Sequence, residues 1–223
     1  MPNAWANHPM AENLIRFNAL PSLNLHASRL AKLMPLGMLS EISPSLWNRH
    51  CSAILLQSLD SQPVLTLEDP ALPLAMLPAP MFERLTLWSG VLLVAPWIQR
   101  TIARADVLEL NSQLGAEAMD FALNTAPGLL KLASPPHADF LFAADQSRAQ
   151  ALQLGSALLS AAFATAPPGI AQRGLLRLPA DVVDIRAKIA TAVLTNDAQA
   201  LLLARSMTHL LEPAWLSSFP TLH

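Results

Sequence analysis

Hydrophobic side chains recur at spacings of three and four residues along almost the whole chain, as on the buried face of an α-helix. One such face contains Leu23, Ala27, Leu30 and Met34. Ser43-Pro44 predicts a helix start, a capping hydroxyl followed by a proline at the first helical position. The face behind it contains Trp47, Cys51, Ile54, Leu55 and Leu59. Since no alternation typical of strands and no repeat is found, we predict an all-α fold, an irregular multi-helix globular domain.

The most apolar stretch predicts the centre of that domain. Residues 85–98, LTLWSGVLLVAPWI, have no charge and are apolar on every side of a helix. We therefore expect a central core helix over about 81–98. Gly90 lies inside it, where glycine costs roughly 1 kcal/mol relative to alanine. Close approach of a neighbouring helix is the expected compensation.

Residues 60–80 predict a different structure, because five prolines interrupt them at spacings that no helix tolerates. The segment is too apolar for a free linker. We predict an ordered, extended, Pro-rich connector on the surface of one helical domain that spans 1–223.

Further helices are predicted towards the C-terminus. A long helix is expected over about 138–164 and is ended by the APPG sequence, and an extended segment is expected over 173–179. Asn196 with Gln199 resembles a capping box before the last long helix. Residues 213–223 form an aromatic tail.

Composition restricts the function. Charged residues make up 13% of the chain, about half the usual share, and hydrophobic residues make up 52%. The net charge of −2 and the lack of a basic block argue against nucleic-acid binding. The apolar run 85–98 is shorter than the roughly 20 residues of a membrane span, and 149–166 contains Gln150, Gln153, Ser156 and Ser160, so no membrane span is expected. A single cysteine, Cys51, predicts a reducing compartment.

The motifs of catalysis are missing. The histidines and carboxylates lack metal-ligand spacing, no glycine-rich phosphate loop is found, and no nucleophile stands in a recognisable setting. Catalytic, cofactor-binding and metal-binding residues are therefore predicted to be none, and no cofactor is expected. Cys51 lies within an apolar stripe and is predicted to be a small buried side chain.

Two surface features are candidates for partner binding. Arg100 and Arg104 are expected as i,i+4 neighbours at a helix exit, where they would either contact an acidic partner or face solvent. The tail contains Trp215, Leu216 and Phe219, and aromatic side chains are common interface anchors. The alternative is that the tail folds back onto its own core.

Three segments resemble one protein family. NLHASRLAKLMP is similar to a His-x-Ser-type opening segment through His26, Ser28 and Arg29. FERLTLWSGVLLVAPWIQRTI is similar to a central apolar helix through Arg84, Gly90 and Arg100, and RGLLRLP to a Leu-Arg-Leu-Pro-type segment through Arg177 and Pro179. Together, over about residues 20–215, they resemble the SctK (YscK-type) accessory proteins of bacterial type III secretion systems.

The resemblance implies a soluble, mainly helical, non-enzymatic adaptor of the cytoplasmic sorting platform. Such a protein lies at the cytoplasmic base of the apparatus and links the inner-membrane ring protein (SctD type) to the pod protein (SctQ type). The pod protein leads on to the stator (SctL type) and the export ATPase (SctN type). Two alternatives are a helical enzyme with a site assembled from scattered residues, and a membrane-peripheral protein that uses 149–166 or the tail.

Overall fold

The chain is helical over most of its length, as expected from its hydrophobic period. The computed structural model describes residues 8–33, 43–59, 62–130, 141–184 and 196–220. The helices there are α1 (Ala11–Ala19), α2 (Ala27–Leu33), α3 (Pro44–Ser58), α4 (Leu72–Ala75), α5 (Ala79–Arg100), α6 (Arg104–Leu114), α7 (Ala116–Asp120), α8 (Ala126–Leu129), α9 (Ser147–Ala164), α10 (Pro168–Leu176), α11 (Asp197–Leu211) and α12 (Pro213–Leu216). These ranges contain no strand, and the predicted all-α class is confirmed.

The uncharged stretch forms α5, the central helix. It starts at Ala79 and ends at Arg100, two residues beyond each predicted boundary. Pro80 is tolerated in the first turn because its missing N–H would have had no helical acceptor there. Pro96 lies inside α5, and the helix continues past it for another turn. The middle of α5, from Val91 to Ala95, is completely buried.

The partner of α5 is α9, and their backbones touch at two glycines. A Cβ atom on Gly90 would lie 1.7 Å from the Ala151 carbonyl oxygen, and one on Gly155 would lie 1.8 Å from the Thr86 carbonyl oxygen. Only glycine fits at such a distance. The predicted close approach at Gly90 is confirmed.

The predicted connector is wrong in its second half. Residues 62–66 have no regular secondary structure, but Leu72–Ala75 forms a buried helical turn in which Leu72, Leu74 and Ala75 are completely inaccessible to water. Proline in the first turn is compatible with a helix, which is how Pro73 enters α4. The segment around α4 is therefore part of the core and not a surface strap.

Two other predicted boundaries also differ. The helix α9 begins at Ser147, after a 3-10 turn at Ala144–Gln146, whereas residues 131–140 lie outside the described ranges. The predicted extended segment 173–179 is wrong, because α10 runs to Leu176. Pro167 and Pro168 end α9 and also open α10, since proline is well suited to a first helical turn.

Ser43 and Asn196 are confirmed as N-cap residues of their helices. The Ser43 hydroxyl oxygen accepts a hydrogen bond from the Leu46 N–H at 3.4 Å, and the Asn196 side-chain oxygen accepts one from the Ala198 N–H at 2.9 Å. Cys51 is buried as expected, and burial raises its pKa. Met34 of the first apolar face lies outside the described ranges. Within those ranges, none of the helices is long and apolar enough to cross a membrane.

Candidate partner-binding surfaces

Two of the family-like segments lie against each other, although about 150 residues separate them in the chain. We call residues 26–29 together with residues 176–180 the clasp. The His26 N–H donates to the Leu176 carbonyl at 3.0 Å. The Arg29 side chain donates from Nε to the Leu178 carbonyl at 2.8 Å and from Nη2 to the Pro179 carbonyl at 3.1 Å. The planar guanidinium can bind both carbonyls at once.

A short hydrogen-bond chain runs across the clasp. The Ala180 N–H donates to the Ser28 hydroxyl oxygen at 3.0 Å, and that hydroxyl lies 2.9 Å from Nδ1 of His26. The Ser28 N–H also points at Nδ1, at 3.2 Å. These contacts assign Nδ1 as an acceptor and place the ring proton on Nε2. Burial, followed by the charge of Arg29, lowers the pKa of His26.

Arg177 is the most deeply buried cation of the clasp, with 5% of its surface exposed. Its Nη1 donates to the Ala75 carbonyl at 2.7 Å, and its guanidinium lies 3.9 Å from the centre of the Phe82 ring. Burial lowers its pKa to about 9. Arg177 therefore attaches the clasp to the last residue of α4 and to α5.

A cavity of 190 Å³ lies beside the clasp, lined by His26, Arg177 and Pro179 and by side chains of α5 and α9. No group of three histidine, cysteine or carboxylate side chains able to hold a metal ion occurs in the described part of the chain. The donors of the clasp are directed mainly at backbone carbonyls. Its chemistry is that of a structural lock between two distant segments.

The family-like residues of α5 serve packing and surface pairing. Gly90 lies at the contact with α9. Arg84 is partly exposed, forms ion pairs with Glu117 at 3.1 Å and Glu212 at 3.9 Å, and lies 5.1 Å from the centre of the Trp88 ring. This third segment contacts the clasp at Phe82, through the guanidinium of Arg177, whereas Arg84 and Gly90 make their contacts elsewhere.

The predicted arginine pair is not an i,i+4 pair on one helix. Arg100 is the last residue of α5 and Arg104 is the first residue of α6, with a non-helical link between them. Both are exposed, and neither forms an ion pair with a described carboxylate. Ile102 lies between them at 93% exposure, and Leu108 follows on α6 at 60%. We call these four residues the α6 surface.

The aromatic tail packs mainly on its own protein. Trp215 is half-buried and donates from Nε1 to the Pro73 carbonyl at 2.9 Å. Phe219 is buried, and its ring meets the Trp215 ring edge-on, with centroids 5.5 Å apart. The tail thus follows the fold-back alternative at these two positions, while the half-buried Leu216 lines an open groove.

That groove lies between the tail, α11 and the end of α8, and has a volume of 830 Å³. We call it the α11 groove. The sequence reasoning missed its α11 residues Leu202, Arg205 and His209. The signal was present in the spacing, because Leu202, Ser206 and Leu210 recur every four residues beside the buried stripe of α11.

Comparison with known proteins identifies the chain. The family described as "YOP proteins translocation protein K (YscK)" matches residues 14–212. No curated protein and no solved structure matches significantly. Because the family match covers most of the chain and includes both halves of the clasp, this protein belongs to the YscK family of type III secretion proteins.

Proposed function

We propose that this protein is a non-enzymatic adaptor of the cytoplasmic sorting platform of a type III secretion system. In this role it joins the cytoplasmic domain of the inner-membrane ring protein (SctD type) to the pod protein (SctQ type). It lies at the cytoplasmic base of the apparatus and connects, through the pod protein, to the stator and the export ATPase. Family membership supports the secretion context.

The observation that carries the adaptor role is that apolar side chains are exposed on two surfaces built from different elements. The α6 surface presents Ile102 and Leu108, at 93% and 60% exposure. The α11 groove presents Leu202 and Leu210, at 62% and 46%. Grouped exposed apolar residues favour protein contacts. A protein that joins two others needs two such surfaces.

Co-purification tests this function directly. The full chain is mixed with the pod protein, with the cytoplasmic domain of the ring protein, and with both, and each mixture is analysed by size-exclusion chromatography with light scattering. We expect a binary complex with each bait and a ternary complex with both. A folded protein that binds neither bait would overturn the adaptor role.

A pair of variants tests whether the α6 surface binds one of the two baits. Ile102→Asp with Leu108→Asp is expected to weaken binding to one bait at least tenfold, since it places charge in an apolar interface. Ile15→Asp on α1 is the matched control, because Ile15 is 55% exposed and lies outside both surfaces. Equal affinities of the two variants for both baits would exclude the α6 surface from binding.

A further inference from the structure

The helix α11 has apolar side chains on two faces, and the rest of this protein covers only one of them. Ala200, Leu203, Ala204 and Met207 are buried in the core. On the adjacent face Leu202 and Leu210 remain 62% and 46% exposed, with Ser206 between them at four-residue spacing. A stripe of this kind is a typical contact for a second helix.

The wall of the groove is held in place before any partner arrives. The Trp215 hydrogen bond to the Pro73 carbonyl fixes the start of the tail, and the burial of Phe219 fixes the chain four residues later. Leu216 between them faces the groove. A preformed wall lowers the ordering cost of binding.

The polar lining of the groove favours a negatively charged occupant. Arg205 and His209 line it, and none of the described lining residues is a carboxylate. Neither side chain forms an ion pair with a described residue. The adjoining hollow shares Thr125 and Leu210 but has a mixed lining of Arg84, Glu117 and Asp120, whereas the described lining of the α11 groove contains no carboxylate. An occupant of the α11 groove therefore gains from carboxylates.

The backbone of the groove favours a helical occupant. The N–H and C=O groups of α11 are used within their own helix, so that helix offers no backbone edge to an extended peptide. An extended segment would leave its own backbone groups unpaired against apolar side chains, which is costly. A helix satisfies its backbone internally and offers a matching apolar stripe.

We propose that the α11 groove receives an amphipathic helix of a partner protein, with apolar side chains against Leu202, Leu210 and Leu216 and carboxylates beside Arg205 and His209. This inference rests on the proposed function, because the helix belongs to one of the two proteins that the adaptor joins. It adds the binding surface and the chemistry of the bound segment.

The test compares two matched double variants. The groove variant is Leu202→Asp with Arg205→Glu, and the control is Leu108→Asp with Arg104→Glu on α6. Both replace one exposed leucine and one arginine that lacks an ion pair with a described residue, and Leu202 and Leu108 are similarly exposed, at 62% and 60%. Dissociation constants for the pod protein and for the cytoplasmic domain of the ring protein are measured by calorimetry, after circular dichroism shows that each variant is folded.

We expect the groove variant to lose at least tenfold in affinity for one bait and to keep the wild-type affinity for the other. The α6 control should bind the first bait as the wild type does. Arg205→Lys should retain most of that affinity, because it keeps the positive charge.

If the groove variant binds both baits with affinities within threefold of wild type, the proposed binding of a partner helix in the α11 groove is wrong, and the adaptor role is unaffected. If the wild-type protein binds neither bait, both the groove proposal and the adaptor role are wrong. If the double variant does not fold, Arg205→Glu alone gives the same comparison, because its effect depends only on charge.

Discussion

At the scale of single residues, arginine side chains join parts of this protein through backbone carbonyls. Arg29 binds the carbonyls of Leu178 and Pro179, and Arg177 binds that of Ala75. Ala75 is the last residue of α4, and Leu178 and Pro179 follow the end of α10, so these carbonyls lie where helical hydrogen bonding stops. A buried carbonyl without a donor is destabilising, and one guanidinium can satisfy two.

Replacement of Arg29 tests this arrangement. Arg29→Met should lower the free energy of unfolding by about 1–3 kcal/mol, because the Leu178 carbonyl loses its side-chain donor and the Pro179 carbonyl keeps only the Val182 N–H. The free energy of unfolding of Arg29→Lys should lie between those of the wild type and Arg29→Met, since an ammonium group lacks the planar fork of the guanidinium. Urea denaturation measures both. Arg100→Met is the control and should remain within about 0.5 kcal/mol of wild type, because Arg100 is exposed. Equal losses for Arg29→Met and Arg100→Met would contradict the role of the clasp.

His26 predicts a pH dependence of stability. Folding lowers its pKa below the ordinary value, mainly by burial and then by the charge of Arg29, with Asp181 and Glu83 opposing. Between the folded pKa and the ordinary value of about 6.5, the unfolded chain binds more protons. Stability therefore falls as pH drops through this window. Protonation would also remove the Nδ1 acceptor that faces Ser28.

The comparison is between wild type and His26→Gln, melted from pH 7.5 to pH 5. The wild type should lose more of its melting temperature on acidification than the variant does, because only the wild type has the titrating imidazole. The other histidines are common to both proteins and cancel in the difference. Parallel curves would show that protonation of His26 is not coupled to folding.

At the scale of elements, the crossing of α5 and α9 limits which sequences are tolerated. Gly90 faces the backbone of Ala151, and Gly155 faces the backbone of Thr86. A helix backbone cannot move aside as a flexible side chain does. The two helices would have to separate along their buried contact, and close packing in the core would be lost.

Gly90→Ala and Gly155→Ala should each lower the free energy of unfolding by about 3 kcal/mol or more. Gly128→Ala is the matched control, because a Cβ at Gly128 meets nothing within 4 Å. In α8 that change should be neutral or stabilising by about 0.4–1 kcal/mol. Thermal melts of the three variants measure the difference. An unchanged melting temperature for Gly90→Ala would contradict the backbone contact.

The proline-rich segment 60–80 shows where rules based on neighbouring residues fail to predict secondary structure. The prolines of 60–80 predict breaks in any helix, yet Pro73 and Pro80 lie in the first turns of α4 and α5, where they fit. The same pattern is compatible with a surface strap and with short helical turns. The burial of Leu72–Ala75 decides between them, and burial is not a local property.

At the scale of the whole molecule, the tail is joined to a segment far away in sequence. Trp215 donates to the carbonyl of Pro73, 142 residues earlier, and Phe219 is 7% exposed. The same contacts form the wall of the α11 groove. Folding and the shape of the groove are therefore coupled at these two side chains.

Trp215→Phe should lower the free energy of unfolding by about 1 kcal/mol, because the ring remains while the hydrogen bond is lost. Phe219→Ala should cost about 3 kcal/mol or more, since it empties a buried site. Denaturant unfolding measures both. If the tail were only a docking element, neither variant would change stability, and only partner binding would fall.

The helical class, the central apolar helix and the caps at Ser43 and Asn196 can all be predicted from the amino-acid sequence alone. These features follow from a period of 3.6 residues and from hydrogen bonds that span two to four positions, so they depend only on residues that are close together in the sequence. The sequence resemblance also singled out the residues of the clasp. Their local patterns contain no information about which distant segment they contact.

Tertiary structure decided the rest. It placed His26 and Arg29 against residues 176–180 and folded Trp215 back onto Pro73. It also separated Arg100 from Arg104 and left Leu202 uncovered on α11. Each outcome depends on packing between residues far apart in the chain, where burial and hydrogen bonding are properties of the assembled core and not of any single segment.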